Sequence, residues 1–329
     1  MSKRILIGLL LALGVAASCM AQTTIRVGAF PNITHAQAMV GKANGWFDKA
    51  MGPQVKVQWT SFNAGPAAIE ALFGGAIHMT YVGPNPAING YVRSNGEAVR
   101  VVAGAASGGA SLIVRNDSGI QKPEDFHGKR VASPQFGNTQ DVALRYWLKQ
   151  NGVTTTTTGG GDAFIKPTTP NSAAVLEFKS GQVAGGSEPA PYDIEMVQDG
   201  GTVLLSEPGV TTILVVTQSL LSAHPAIVAD LIKAQVQAND FIKSNPTAAQ
   251  ADANAELGSY TGKPLKASLV AAAFKEITFT DDPDASSLTT DASQATSLGL
   301  LKPVSLSGIF DLTLLNTALA AAGESQVSS

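Results

Sequence analysis

The sequence predicts an α/β protein of two lobes, each a mostly parallel sheet covered on both faces, joined by two crossover strands and followed by a helical C-terminal tail. Three observations predict it. Strand-like runs alternate with helical patterns from Thr24 to Gly104, and the alternation then restarts; such βα repeats build parallel sheets with helices on both sides. The strand runs end in Gly, Pro, Asn, Ser or Thr just before each helix. The chain has 329 residues, 44% hydrophobic and only 14% charged, enough for two lobes rather than one.

Thr24–Phe30 reads as the first strand. Thr34–Ala50 follows as a helix, with Met39, Ala43, Trp46, Phe47 and Ala50 as its buried stripe and a capping box from Thr34 to Gln37. Val55–Thr60 alternates as a strand; Ala67–Phe73 is a helix with Pro66 near its start and Gly74 after its end. His78–Val82 is a strand, Ala87–Ser94 a helix and Val99–Gly104 a strand. In the second unit Ser111–Arg115 and Lys129–Ala132 are strands, and Asn138–Asn151 is a helix capped by Asn138. The Thr- and Gly-rich stretch Thr154–Gly161 reads as a surface loop. Ser172–Ser180 and Tyr192–Asp199 are helices around a short strand, Gln182–Gly186; Val203–Leu205 and Thr211–Thr217 return as strands. From Ala226 the chain is mostly helical and Ala-rich, broken at Pro246, Pro264 and Pro283. Lobe 1 is assigned residues 22–108 plus 213–329, and lobe 2 residues 109–212.

Residues 1–21 read as an export signal: Lys3-Arg4, then an apolar run from Ile5 to Ala17. Cleavage after Ala21 is the preferred reading; the alternative takes Ala16-Ala17-Ser18-Cys19 as a degenerate lipobox with a lipid on Cys19. Cys19 is the sole cysteine, which excludes an intramolecular disulfide and cysteine-based metal or redox sites. The net charge is −3 with no basic block, so nucleic acid is excluded as a partner. No phosphate-loop, G-x-S-x-G or H-E-x-x-H pattern occurs. No metal and no cofactor is expected.

The loop chemistry is the functional signal. Helix starts carry free N–H groups and partial positive charge, so several of them facing one another attract an anion. Strand carboxyl ends are where open α/β sheets bind ligands. The clearest loops are Phe30-Pro31-Asn32-Ile33-Thr34, Phe62-Asn63-Ala64-Gly65-Pro66, Val82-Gly83-Pro84-Asn85-Pro86 and Phe136-Gly137-Asn138-Thr139.

These stretches also carry a likeness. Together with Lys42-Ala43-Asn44-Gly45-Trp46-Phe47, Glu70-Ala71-Leu72, Tyr81-Val82-Gly83-Pro84-Asn85-Pro86-Ala87-Ile88 and Lys122-Pro123-Glu124-Asp125-Phe126-His127-Gly128-Lys129, the chain over residues 24–245 resembles the periplasmic substrate-binding proteins of ABC importers, in the aliphatic sulfonate/taurine/nitrate group. The resemblance implies a type II periplasmic binding fold, no catalysis, a small anionic solute held between the lobes, and delivery to a membrane permease by a monomer. An aliphatic sulfonate is the leading solute. Nitrate or bicarbonate, and a thiamine-type pyrimidine precursor, are the alternatives, with a pyrimidine-synthesising enzyme on the same fold as a third. The chain departs from the group at Gly186-Ser187-Glu188-Pro189-Ala190-Pro191-Tyr192, where relatives carry an aromatic after the Glu-Pro pair.

The candidate ligand contacts are Asn32, Thr34, His35, Asn63, Gly65, Gly83, Asn85, Ser107, Gly108, Gly137, Asn138, Thr139, Gln140 and Glu188. Each has a plainer reading. Thr34 and Asn138 cap helices. Asn63 and Gly65 make an ordinary turn. Ser107 and Gly108 serve only as hinge, and Glu188 is a solvated or capping side chain or, functionally, the partner of a ligand amine. The strongest expectation rests on Asn85, held between two prolines, and on the helix start Gly137–Thr139.

Overall fold

The structure, a computed structural model, describes residues 22–329. The expected leader over residues 1–21, and with it Cys19, lies outside the described residues.

Two sheets form two lobes. The first unit runs β1 (Thr23–Ala29), a 3-10 turn (Ile33–His35), α1 (Ala36–Ala43), α2 (Trp46–Met51), β2 (Val55–Ser61), α3 (Gly65–Phe73), β3 (Met79–Val82), α4 (Pro84–Arg93) and β4 (Val99–Gly108). The second has β5 (Ala110–Arg115), β6 (Arg130–Ser133), α5 (Thr139–Gln150), β7 (Phe164–Pro167), α6 (Asn171–Lys179), β8 (Gly185–Pro189), α7 (Tyr192–Gln198) and β9 (Gly201–Ser206). The chain returns on β10 (Val210–Thr217) and finishes with α8 (Gln218–Ala223), α9 (Pro225–Ser244), α10 (Pro246–Thr261), α11 (Ala267–Glu276), β11 (Ile277–Phe279), α12 (Ala285–Ser297) and α13 (Thr313–Ala322). The strand order is β11-β4-β10-β3-β1-β2 in one sheet and β7-β6-β8-β5-β9 in the other. β1 is parallel to β2 and β3, and β6 to β7 and β8, while the returning β10 and the strand β5 run antiparallel to their neighbours. The sheets are therefore mixed, because a chain that leaves a lobe and comes back must insert a reversed strand.

Period-2 and period-3.6 apolar spacing fills the cores. Ile25, Val27, Met79, Tyr81, Val102, Leu214 and Val216 pack beneath α9 and α13, and Leu112, Phe126, Val131, Leu144 and Leu148 fill one face of the second sheet. One apolar cluster bridges the lobes: Ala190 and Ile194 lie with Ile33, Met39, Val40, Ala106, Leu269 and Val270. No described helix is long and apolar enough to cross a membrane.

The structure corrects several expected elements. The helix over Thr34–Ala50 is two helices, since Gly45 adopts a left-handed φ of 67° between them. The Thr34–Gln37 capping box does not form: Thr34 Oγ1 donates to Asn32 Oδ1 (2.8 Å), and Gln37 turns inward to the carbonyl of Ala105 and to Asn239. There it joins a buried polar layer in which Asn239 Nδ2 donates to Asp281 Oδ2 (2.6 Å) and Gln235 Nε2 to Asp281 Oδ1 (3.2 Å). The local cap is lost to a tertiary network in which Gln37 Nε2 gains two buried acceptors, while its Oε1 is left without a partner. The short strand expected at Gln182–Gly186 lies three residues later, and the strands β7 and β11, unread in the sequence, are short pieces of four and three residues at sheet edges. Asn138 caps α5 as expected, accepting from Asp141 N (2.9 Å).

Candidate functional site

A cleft opens where the carboxyl ends of β1, β2 and β3 face those of β6 and β7. Phe30, Asn32, Thr34 and His35 follow β1; Asn63, Ala64 and Gly65 follow β2; Gly83 and Pro86 follow β3; Thr211 sits on β10. Opposite them are Pro134, Asn138, Thr139 and Gln140 after β6, Asn171 after β7, and Pro189 at the end of β8. The enclosed volume is small, about 30 Å³. The lobes touch around it: Tyr192 OH donates to the carbonyl of Pro31 (2.7 Å), Ile33 N to that of Ala190 (2.9 Å), and Lys149 Nζ to that of Ser297.

Four helix starts converge on the cleft, those of α3, α4, α5 and α6. Among the described residues, no Lys, Arg, Asp or Glu lines it. Its polar groups are amides, hydroxyls, backbone and one imidazole. Burial pushes the pKa of His35 down to about 3, so the ring is neutral at physiological pH. Its Nδ1 accepts from Phe30 N (3.3 Å), which leaves the proton on Nε2, and the ring stacks on Phe30. On lobe 1, Thr212 Oγ1 donates to Thr34 Oγ1 (3.0 Å), which donates on to Asn32.

The lobe 2 wall is held by one buried ion pair. Asp141 accepts from Ser133 Oγ (3.0 Å), Gly137 N (3.0 Å) and Arg145 Nε (2.9 Å); the side chains of Asp141 and Arg145 are 0% and 3% exposed. Arg145 also reaches the carbonyl of Thr156, so it pins the Thr-rich loop rather than facing the cleft. Asn138 Nδ2 is bound to Gln140 Oε1 (2.8 Å). Two buried atoms beside the cavity have no protein partner, Thr139 Oγ1 and Asn171 Oδ1. Gly83 is required where it stands: a Cβ there would lie 2.3 Å from Thr139 Oγ1. The first helical turns of α4 and α5 therefore meet directly across the lobes.

The structure brings together Asn32, Thr34, His35, Asn63, Gly65, Gly83, Asn138, Thr139 and Gln140. It places the other five elsewhere. Asn85 sits in an adjacent cavity of about 180 Å³ that Gly137 also lines, and Asn85 Nδ2 donates to the carbonyl of Asp291 (3.3 Å). The N–H of Gly137 is taken by Asp141. Ser107 and Gly108 lie at the crossover from β4 to β5: Ser107 is paired to Thr278 and Val210, Gly108 N donates to the carbonyl of Gly209 (2.9 Å), and Gly108 and Gly109 have φ of 73° and 68°, the left-handed backbone that glycine adopts most readily. Glu188 lies behind the cleft, 0% exposed with both carboxylate oxygens unpartnered, which makes it neither solvated nor a cap. Burial, reinforced by Asp193, raises its pKa well above the ordinary carboxylate range. Phe30, Asn171 and Thr211 were not among the expected contacts; Pro170-Asn171 carries the same strand–loop–helix punctuation as the others and was the readable signal for Asn171.

Comparison with known proteins shows which proteins the chain resembles. A family model described as the NMT1-like family matches residues 20–257. The taurine-binding periplasmic protein of Escherichia coli K12 is 27% identical over 215 residues, which is 64% of this chain and 64% of that protein, so the chain spans less than two thirds of that relative's length. The alkanesulfonate-binding protein of Xanthomonas axonopodis pv. citri, solved bound to MOPS, superposes with a TM-score of 0.73 at 18% identity, covering 89% of this chain and 99% of that one. The periplasmic nitrate-binding protein of Synechocystis PCC 6803 superposes with a TM-score of 0.75 at 15% identity, covering 91% and 89%. Those structural likenesses establish a common fold, and the chain itself belongs to the NMT1-like family.

Proposed function

We propose that the protein is the extracytoplasmic solute-binding component of an ABC importer, capturing a small oxyanion in the inter-lobe cleft and passing it to a membrane permease without chemical change. The observation that carries the reading is the convergence of four helix starts on a small cleft that no charged side chain lines. Oriented N–H groups and hydroxyls stabilise negative charge without a counter-ion, and lobe closure removes the competing water. The export pattern in the sequence and the relatives' periplasmic setting support a periplasmic location.

Within that class we favour an alkanesulfonate without an amine. Taurine is a zwitterion, and its ammonium would find no carboxylate on the cleft wall; Glu188 is sealed behind it and its raised pKa favours the neutral form. Burying an unpaired ammonium costs several kcal/mol in order of magnitude. A second reading, nitrate or bicarbonate, is favoured by the volume of about 30 Å³, which suits a compact ion better than a long chain.

Mass spectrometry of ligand released from the purified protein tests the class. A small oxyanion is expected. A thermal-shift screen across alkanesulfonates, taurine, nitrate and bicarbonate ranks the members, since a ligand at a hundredfold excess over Kd adds about 2.7 kcal/mol. No shift with any oxyanion, together with a released organic base, defeats the reading.

A further inference from the structure

A second cavity, about 430 Å³, lies on the other side of Thr139, between α5, the β9–β10 hinge and α12. That is within the size range of small-molecule sites. Tyr146, Trp147 and Leu205 give it an aromatic and apolar wall, while Glu207 and Asp291 supply two carboxylates and Ser287 a hydroxyl. Among the described residues, no Lys, Arg or His lines it. Asp291 Oδ2 is buried and has no hydrogen-bond partner, and Glu207 has only Ser187 Oγ on Oε1 (3.1 Å).

This pairing is unfavourable as it stands. Burial, then the neighbouring charge of Glu207, pushes Asp291 well above the ordinary carboxylate range, and burial pushes Glu207 up to about 7. A cation between them would remove the repulsion and give the orphaned oxygen a donor. The aromatic wall selects the rest of the ligand: a bare metal ion has no use for Trp147 and Tyr146, whereas an ammonium on an apolar body uses both the carboxylates and the rings.

We propose that this cavity is a second binding site, for an organic ammonium ion with an aromatic or alkyl body. Its walls come from both lobes and the hinge. Val210 N donates to Ser287 Oγ (2.9 Å) across the seam, and Lys149 Nζ to the carbonyl of Ser297. Occupancy therefore favours the closed arrangement, and through Thr139, which lines both cavities, it tightens capture in the cleft.

The test is calorimetric titration of the full-length protein with 2-phenylethylammonium and with its neutral analogue 2-phenylethanol, with intrinsic tryptophan fluorescence as a second readout. The expected result is one-to-one binding of the ammonium, about tenfold or more tighter than the alcohol, and a loss of that preference in Asp291→Asn and Glu207→Gln. Both substitutions replace a strained carboxyl by an amide of the same shape, and the comparison of two ligands on the wild-type protein needs neither variant. Equal binding of both compounds, ammonium binding unchanged in both variants, no binding at millimolar concentration, or displacement of the ammonium by calcium ions at lower concentration would each overturn the proposal.

Discussion

The two cavities on either side of Thr139 are built from opposite chemistry. The cleft is about 30 Å³, has no charged side chain, and is ringed by helix starts. The hinge-side cavity is about 430 Å³ and carries two carboxylates against aromatic rings, with no cationic side chain to balance them. One interface between the same two lobes thus carries an uncharged surface ringed by helix starts and an acidic, aromatic surface, with Thr139 lining both. If both proposals hold, charge selectivity comes from backbone direction on one side and from side-chain ionisation on the other. The first is fixed and insensitive to pH; the second can be tuned.

The largest expected effect comes from breaking the buried pair that shapes the lobe 2 wall. Arg145→Met leaves Asp141 charged, buried and stripped of its counter-ion, and is expected to cost about 3–5 kcal/mol of unfolding free energy. Denaturant titration measures it, and a much smaller loss in the double variant Asp141→Asn with Arg145→Met would show that the orphaned charge, not lost packing, is responsible.

Next is lobe contact at the cleft. Gly83→Val places side-chain atoms where Thr139 Oγ1 now lies. Overpacking of this kind costs about 1–3 kcal/mol, and here the open state escapes it, so oxyanion affinity should fall about tenfold to a hundredfold while stability changes little. An unchanged affinity would separate capture from this closure contact.

The third effect comes from two buried carboxyls, Asp193 behind the cleft and Glu207 in the second cavity. A carboxyl whose folded-state pKa is raised binds its proton more tightly in the folded protein, so its contribution is lost as pH rises from the unfolded value through the folded one. Asp193 is raised from 3.8 to about 8, chiefly by burial and then by Glu276, and Glu207 from 4.5 to about 7 by burial. His35 has the opposite sign: depressed from 6.5 to about 3, it loses its contribution as pH falls through that window. Unfolding free energy should therefore drop by an amount on the order of 1 kcal/mol between pH 6.5 and 8, and Asp193→Asn with Glu207→Gln should flatten that slope. A stability that rises over this interval would refute the assignment.

The smallest effect tests a single donor. Thr139→Val keeps the shape of a side chain whose hydroxyl has no protein partner. One neutral hydrogen bond is worth about 0.5–1.5 kcal/mol, so oxyanion affinity should weaken about threefold to tenfold.

Much of the fold could be read from local patterns, because apolar periodicity and strand-end punctuation are properties of neighbouring residues. Thus β1 through β4 and α5 with its Asn138 cap fall where the spacing puts them, and the loops after β1, β2 and β6 meet at the cleft. What could not be read depended on residues far along the chain. Gln37 abandons a capping box for Asn239 and Ala105. Asn85, fixed between two prolines, is aimed by α12, and its amide bonds Asp291 rather than the cleft. Glu188 sits in the strand Gly185–Pro189, whose only signals are two glycines, a serine and a proline, so nothing local marks it as fully buried. The proline pair reported a rigid backbone correctly and said nothing of where the side chain points.

The most direct measurement is a paired calorimetric titration of the purified protein, freed of bound ligand, with ethanesulfonate and taurine. The two share a headgroup and differ by one ammonium. A cleft of neutral donors with no exposed carboxylate predicts one-to-one binding of ethanesulfonate, at least about tenfold tighter than taurine. Tighter binding of taurine would contradict it, and would mean that Glu188 or Asp193 comes forward to hold the amine.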